Sequence, residues 1–231
     1  MHCTLDARCS KAFASKKSEK ALILDDDGFW TKTRLVADLM EPIRDAIAET
    51  EGDVTAISVM PRLWNVLRFR VKIAAQKLFE KDFVSREDME QMLNFVDSRQ
   101  EFSMQPVHMA ANILDPRFQG RDLSDERVAM AETVFLQVAS KIGIADVSDC
   151  LDDLTDFRTP QGYVYSSESR AHIWQHASSL GLKPLSWWKS YAPSRPLGRI
   201  GKILLALPSS IAAVERTNKA YSLQKPSTEI G

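Results

Sequence analysis

Two groups of side chains in this sequence are of the types that metal sites and acid–base catalysis use. Asp25, Asp26 and Asp27 are consecutive carboxylates, and His172 and His176 lie four residues apart, which would place both rings on one face of a helix. Consecutive acids cannot all reach one ion without a rigid loop, and neither group is followed by the ligand spacing of a calcium or zinc site. We therefore interpret the acids as helix-capping residues and the histidines as surface or capping residues, and we predict no metal site.

Glu215 is the remaining candidate for chemistry. Ser209 or Ser210 is suited to cap a helix over residues 211–221, because a serine hydroxyl accepts hydrogen bonds from the free N–H groups of the first turn. Glu215 would then lie in the second turn of that helix. From the residues alone it is interpreted as a surface acid of a helix.

The segment before this acid contains two features that predict close packing. Trp187 and Trp188 are adjacent, so their rings would point about 100° apart on a helix. One ring would therefore pack against a second element or a second chain. Pro196 suits the first position of a further helix. That helix carries an apolar stripe, formed by Leu197, Ile200, Ile203, Leu204 and Leu207. A buried helix and a subunit interface would have the same pattern.

The rest of the chain has the apolar spacing of helices, and no stretch alternates at period two. We therefore predict a mostly or wholly α-helical fold. A break or kink is expected near Pro42, and another interruption at Pro61. The acids of residues 145–157 are interpreted as a solvated helix face, and His108 as a packed histidine. The predicted helices cover residues 29–50, 54–79, a segment capped by Ser85 and Asp88, 107–113, a segment from Ser124 to Lys141, 145–157, 167–180 and 197–207.

Composition places limits on the function classes. The chain of 231 residues is 44% hydrophobic and 26% charged, as in ordinary globular proteins. Its net charge of −1 argues against a broad grip on duplex DNA, which usually needs a basic excess. Cys3, Cys9 and Cys150 lack metal-type spacing and favour unpaired intracellular thiols. No apolar run approaches the roughly 20 residues that span a bilayer, so we expect a soluble intracellular protein.

The C-terminal block resembles that of hAT-type transposases, the hobo–Activator superfamily. The resemblance lies in Trp187-Trp188, Leu197, the stretch from Ile203 to Pro208, and Ser209-Ser210-Ile-Ala-Ala-Val-Glu215-Arg216. The last segment is similar to a Ser-Ser-x-x-x-Glu-Arg motif with one additional residue. Upstream, His108-Met-Ala-Ala111 to Leu114-Asp115-Pro116-Arg117-Phe118 is similar to a His-x-Ala-Ala…Leu-Asp-Pro-Arg segment of the family. The segment from Phe29-Trp30 to Pro42 looks like the start of the family's helical insertion, so the resemblance covers about residues 20–225.

The resemblance implies a ribonuclease H-like catalytic domain that is interrupted by a helical insertion. Three carboxylates of that domain bind two Mg or Mn ions, and Glu215 would correspond to the third carboxylate. Nothing before residue 20 resembles the strands that bear the first two aspartates, and no DNA-binding zinc finger precedes them. Thr217-Asn218 stands where the family has an aromatic–Ser pair, and the family continues past the position of Gly231. We therefore expect a truncated relic with its catalytic strands largely missing and no cofactor of its own.

Three regions are predicted: a poorly ordered segment 1–20, a helical insertion-like region 21–120, and a helical region 121–231. The last contains the dimerisation block, at about residues 185–225. A lone Glu215 leads us to expect a catalytically inactive protein that forms a homodimer or associates with a related transposase chain. The family implies nuclear residence, DNA contact only through a missing N-terminal region, and no membrane. The residues implied in dimerisation are Trp187, Trp188, Leu197, Ile200, Ile203, Leu204, Leu207, Pro208, Ser209, Ser210, Val214 and Arg216.

Two alternatives remain open from the sequence. The chain could be a fragment of an active metal-dependent DNA transposase, in which Glu215 is the surviving acid. It could also be a helical interaction protein unrelated to transposases.

Overall fold

The computed structural model describes residue 21 and residues 26–52, 56–179 and 181–210. Within these residues there is no β-strand, and the predicted mostly α-helical class is confirmed. An isolated antiparallel bridge pairs Ala56 with Pro208. A π-helical turn (Asp26–Trp30) precedes the first described α-helix, and a 3-10 turn (Ile57–Val59) precedes the second. The α-helices are α1 (Thr31–Thr50), α2 (Met60–Glu80), α3 (Arg86–Ser103), α4 (Pro106–Leu114), α5 (Asp125–Lys141), α6 (Val147–Arg158), α7 (Gly162–Tyr165), α8 (Ala171–Ala177), α9 (Pro184–Tyr191) and α10 (Pro196–Leu204).

Local capping signals set several of these helix starts. The Ser85 N–H donates to Asp88 Oδ2 at 2.9 Å, and the Asp88 N–H donates back to Ser85 Oγ at 3.1 Å, which is the predicted capping box. Ser124 caps α5, with its hydroxyl accepting from the Arg127 N–H. Pro106 is the first residue of α4, where its missing N–H removes no helical hydrogen bond.

Neither proline interrupts its helix, so the expected break at Pro42 and the expected interruption at Pro61 are wrong, while a kink at Pro42 stays a prediction. Helix α1 continues through Pro42 without a break, because a proline removes a single intrahelical hydrogen bond and the rest of this 20-residue helix keeps its own. Pro61 does not interrupt α2, since it falls in the first turn, where helices tolerate proline. Two helices near the end of the described part are shorter than predicted. Helix α8 begins at Ala171 where residue 167 was expected, and α10 ends at Leu204 where residue 207 was expected.

The chain divides into two compact units. The first unit comprises the residues up to Ala46 together with Val66–Arg99, and the second comprises Ile47–Asn65 together with the residues from Gln100 onward. Helices α1, α2 and α3 contribute residues to both units. The three-part division predicted above, with a boundary near residue 120, stays a prediction, and its segment 1–20 lies outside the described residues.

The first unit buries few side chains. Its buried apolar residues are Leu67, Val71, Ala74, Ala75, Leu78 and Val96. Phe69 and Phe95 lie on outer faces of α2 and α3 and are 64% and 62% exposed. Apolar residues of α1 such as Val36 and Met40 are exposed as well, so the predicted amphipathic helix forms but leaves much of its apolar face uncovered.

The second unit is built around α4. All residues of this helix from Met109 to Leu114 are buried, and α5, α10 and the 3-10 turn pack against it. An aromatic cluster forms the other part of the core. The Phe157 ring lies within 4.8–5.9 Å, centroid to centroid, of the rings of Tyr165, Trp174, Trp187 and Trp188.

Candidate functional site

The two adjacent tryptophans lie wholly inside the second unit. Both rings are fully buried and pack edge to face, with centroids 5.1 Å apart. Trp187 Nε1 donates to the Ile173 carbonyl at 2.9 Å, and Trp188 Nε1 donates to the Leu114 carbonyl at 2.6 Å. The second ring therefore packs against another element of the same chain, since Leu114 ends α4, 74 residues away.

Helix α10 uses its small residues for packing within the chain. A Cβ at Gly198 would lie 1.8 Å from the Ala192 carbonyl oxygen, and a Cβ at Gly201 would lie 3.2 Å from the Trp188 ring. Leu197, Ile200 and Leu204 are buried beside them. These three side chains and the two tryptophans are therefore inaccessible to a second chain in this conformation, and their part in dimerisation stays a prediction.

Within the described part of the C-terminal block, residues 185–210, the large apolar side chains that are exposed lie near the end. Ile203 is 42% exposed and Leu207 is 40% exposed, and Pro208 is exposed as well. Leu207 and Pro208 form one wall of a groove of about 590 Å³. Its other walls include the apolar side chains of Val59, Leu182, Leu185 and Leu205, together with the charged residues Glu49, Arg117 and Lys183.

Hydrogen bonds hold this end in place. The Ile57 N–H donates to the Leu207 carbonyl at 3.4 Å, and the Ser209 hydroxyl donates to the Thr50 carbonyl at 2.7 Å. Ser210 is half-buried. Val214, Glu215 and Arg216 lie outside the described residues, so the structure does not place the predicted catalytic acid.

The candidate metal ligands have other partners or lie outside the described part. His176 Nδ1 lies 3.0 Å from the Tyr191 hydroxyl, and the His172 ring packs edge to face on Tyr191. Asp26 and Asp27 belong to the π-helical turn, and Asp25 lies outside the described residues. Among the residues that the structure describes, no group of three or more His, Cys, Asp or Glu side chains could hold a metal ion.

The interpretation of Asp153 as part of a solvated face is wrong. Asp153 is fully buried; its Oδ1 accepts from Arg195 Nε at 2.8 Å and its Oδ2 accepts from the Leu197 N–H at 3.0 Å. The second bond caps the N-terminus of α10 from another helix, because Arg195 at the N-cap position gives no side-chain cap. The sequence around Asp153 does not indicate that its partner is Arg195, which lies 42 residues further along the chain.

Burial shifts the pKa of the Cys150 thiol and the pKa of the His108 ring in this unit. The thiol of Cys150 is fully buried next to Asp153, and desolvation, aided by that carboxylate, raises its pKa from 9.0 to about 11. Desolvation also lowers the pKa of His108. The neutral His108 ring accepts a hydrogen bond at Nδ1 from the Gln105 N–H at 2.9 Å, which agrees with its interpretation as a packed residue.

A second cavity, which the sequence did not suggest, lies beside the Leu114-Asp115-Pro116-Arg117-Phe118 segment. It has a volume of about 490 Å³, and its polar lining includes the arginines Arg62, Arg117 and Arg121. Asp115 is fully buried below it; it accepts from the Ser58 hydroxyl at 2.8 Å and from two nitrogens of the Arg117 guanidinium.

Comparisons with protein-family models, with curated proteins and with solved structures find no match to this chain. None of the described helices is long and apolar enough to cross a membrane. The resemblance to hAT-type transposases therefore rests on the motifs quoted above.

Proposed function

We propose that this chain is a transposon-derived, hAT-like helical protein that self-associates through the exposed end of its C-terminal block. We propose further that it has no strand-transfer activity by itself. The observation that carries the first proposal is the exposure of Ile203 and Leu207 beside an apolar groove. Exposed apolar side chains next to a concave apolar surface are typical of contact sites between proteins.

The partner that this surface suits is a second copy of the chain. Ile203 and Leu207 form an exposed apolar ridge. Leu207 also lines the groove, so the ridge and the groove lie side by side. A two-fold contact uses one patch twice, and it would place the ridge of each copy in the groove of the other. Association with a related transposase chain would use the same surface, which the family resemblance implies.

The best test is a pair of substitutions that leave the core intact. Trp188 and Leu204 are unsuitable, because both are buried and their substitution would destabilise the core of the second unit, so that a loss of association could not be assigned to the surface. Ile203→Asp combined with Leu207→Asp places two charges on the proposed contact. Met130→Asp on α5 is the matched control, since Met130 is 43% exposed and lies in the same unit.

Sedimentation equilibrium over a concentration series measures the outcome. We expect a dimer for the wild type and for Met130→Asp, and a dissociation constant at least about tenfold higher for the Ile203→Asp/Leu207→Asp variant. A wild type that is strictly monomeric at high micromolar concentration would refute the proposal. Equal association of all three proteins would refute the assignment of the surface.

The proposed lack of catalysis rests on the single acid that matches the family. Several carboxylates are needed to hold two metal ions next to the phosphate group that is cleaved. In this sequence only Glu215 corresponds to one of the family's three carboxylates. We expect no manganese-dependent nicking of duplex DNA above background. Nicking that disappears in Glu215→Gln would instead favour the alternative, a fragment of an active DNA transposase.

A further inference from the structure

We propose that the arginine-lined cavity of the second unit, defined by Arg62, Arg117 and Arg121, binds a small phosphomonoester that carries a ring, of the size of a nucleoside monophosphate. The cavity shares Arg117 with the groove of the self-association surface, but Arg62, Arg121 and its aromatic walls lie outside that groove, and its ligand is of a different class. Its volume of about 490 Å³ lies within the range of small-molecule sites.

Two of the three guanidinium groups are held by buried residues. Asp115 accepts from Arg117 Nε at 2.9 Å and from Arg117 Nη2 at 2.6 Å, and the Phe118 ring lies 4.9 Å from the guanidinium carbon. The Arg121 guanidinium donates to the side chain of Gln119, which is buried and donates in turn to the Phe157 carbonyl. Arginines fixed from below in this way lose less side-chain entropy when they bind a ligand.

The third guanidinium supplies a charge that no described residue neutralises. Arg62 is exposed in the first turn of α2 and forms no hydrogen bond or ion pair with the described residues. No acidic side chain is among the described residues that line the cavity. The buried Asp115 offsets one of the three positive charges, so a net charge of about +2 remains. A phosphomonoester carries about −1.5 to −2 at pH 7, whereas each phosphodiester carries −1.

The remaining walls fit an organic group better than a free ion. Trp174, Pro116 and Pro160 line the cavity together with Phe118. Trp174 is half-buried, and its Nε1 donates to the Tyr165 carbonyl at 2.9 Å, which fixes the plane of its indole. An aromatic wall beside fixed guanidinium groups suits a ligand with a ring on one side and a charged oxyanion on the other.

The inference is tested by calorimetric titration of the full chain with four probes. A nucleoside 5′-monophosphate is compared with the free nucleoside, with inorganic phosphate and with a dinucleoside phosphodiester that has no terminal phosphate. We expect the monophosphate to bind with a dissociation constant below about 1 mM, and each of the other three probes to bind at least about tenfold more weakly.

Variants then locate the binding site. Arg62→Ala should weaken monophosphate binding about tenfold or more, because it removes a charged donor that has no structural partner among the described residues. Arg158→Ala, at the exposed end of α6, removes the same charge outside the cavity and should leave the affinity unchanged. Thermal denaturation of both variants checks that neither has unfolded.

Several results would overturn the inference. They are the absence of monophosphate binding at about 1 mM, equal binding of the nucleoside or the phosphodiester, and equal effects of Arg62→Ala and Arg158→Ala. Equal binding of inorganic phosphate would refute the ring-bearing class of ligand. Loss of self-association in Ile203→Asp/Leu207→Asp would not change any of these results, so the two proposals fail separately.

Discussion

The first and second units differ in where their polar interactions lie. In the first unit, arginines of α2 pair with acids at the surface: Arg68 with Asp97, and Arg70 with Asp45 and Glu41. In the second unit, Asp115 and Asp153 are fully buried and tie distant segments together. Exposed ion pairs remain partly solvated and contribute little to the free energy of unfolding. Buried carboxylates need hydrogen-bond or ion-pair partners, because an unpaired buried charge is strongly destabilising.

The apolar residues show the same difference. The second unit has a continuous aromatic core, while Phe69 and Phe95 of the first unit lie largely in solvent. Hydrophobic burial is the main favourable contribution to folding, so the free energy of unfolding should be concentrated in the second unit. The first unit should open locally at a lower cost.

The largest expected effect comes from the aromatic core. Trp188→Ala should lower the free energy of unfolding by about 3–5 kcal/mol, because it leaves a cavity and an unmade hydrogen bond at the Leu114 carbonyl. Phe95→Ala, a truncation at an exposed position of the first unit, should change it by less than about 0.5 kcal/mol. Urea denaturation followed by circular dichroism measures both values, and similar losses would remove the contrast between the units.

The next effect compares a buried acid with a surface acid. Asp153→Ala should lower the free energy of unfolding by about 1–3 kcal/mol, since the buried Leu197 N–H loses its acceptor. Asp97→Ala removes the partner of Arg68 at the surface and should cost about 0.2–1 kcal/mol. The loss in Asp97→Ala should shrink further at high salt, whereas the loss in Asp153→Ala should not. A salt dependence of the same size in both variants would contradict the distinction.

The smallest effect is a pH dependence of stability that comes from the buried Cys150 thiol of the second unit. The folded-state pKa of Cys150 is about 11, above the ordinary value of 9.0, so the folded protein favours the protonated thiol. The stability that this group contributes is therefore fully present below pH 9 and is lost as pH rises toward 11. At pH 10 the loss should be about 1 kcal/mol, and it should be absent in Cys150→Ala. Equal pH dependence of the two proteins would show that the thiol is not buried.

Short-range signals were the part of the fold that the sequence could predict. Ser85 with Asp88, and Ser124, act within one helical turn, and each marks a helix start where it was expected. The sequence left a break or a kink open at Pro42, and the helix continues without a break, because neighbouring hydrogen bonds compensate for one absent donor.

The candidate site was predicted only in part, because its geometry depends on contacts between distant residues. The spacing of the residues from Leu197 to Leu207 indicates an apolar stripe, but it cannot say that Ile203 and Leu207 are its exposed members. The cavity arginines are scattered over 60 residues and acquire their anchors only in the folded chain. No periodicity connects Arg62 with Arg121.

The bond from the Ser209 hydroxyl to the Thr50 carbonyl has a consequence for how the protein is made. These two residues are 159 positions apart, and the Ile57–Leu207 bond spans nearly as much chain. At about 5–20 residues per second, a ribosome needs roughly 8–30 s to deliver the later partner. During that interval the Thr50 carbonyl and the Ile57 N–H lack these partners, so this end of the second unit can close only after nearly all of the unit has been synthesised.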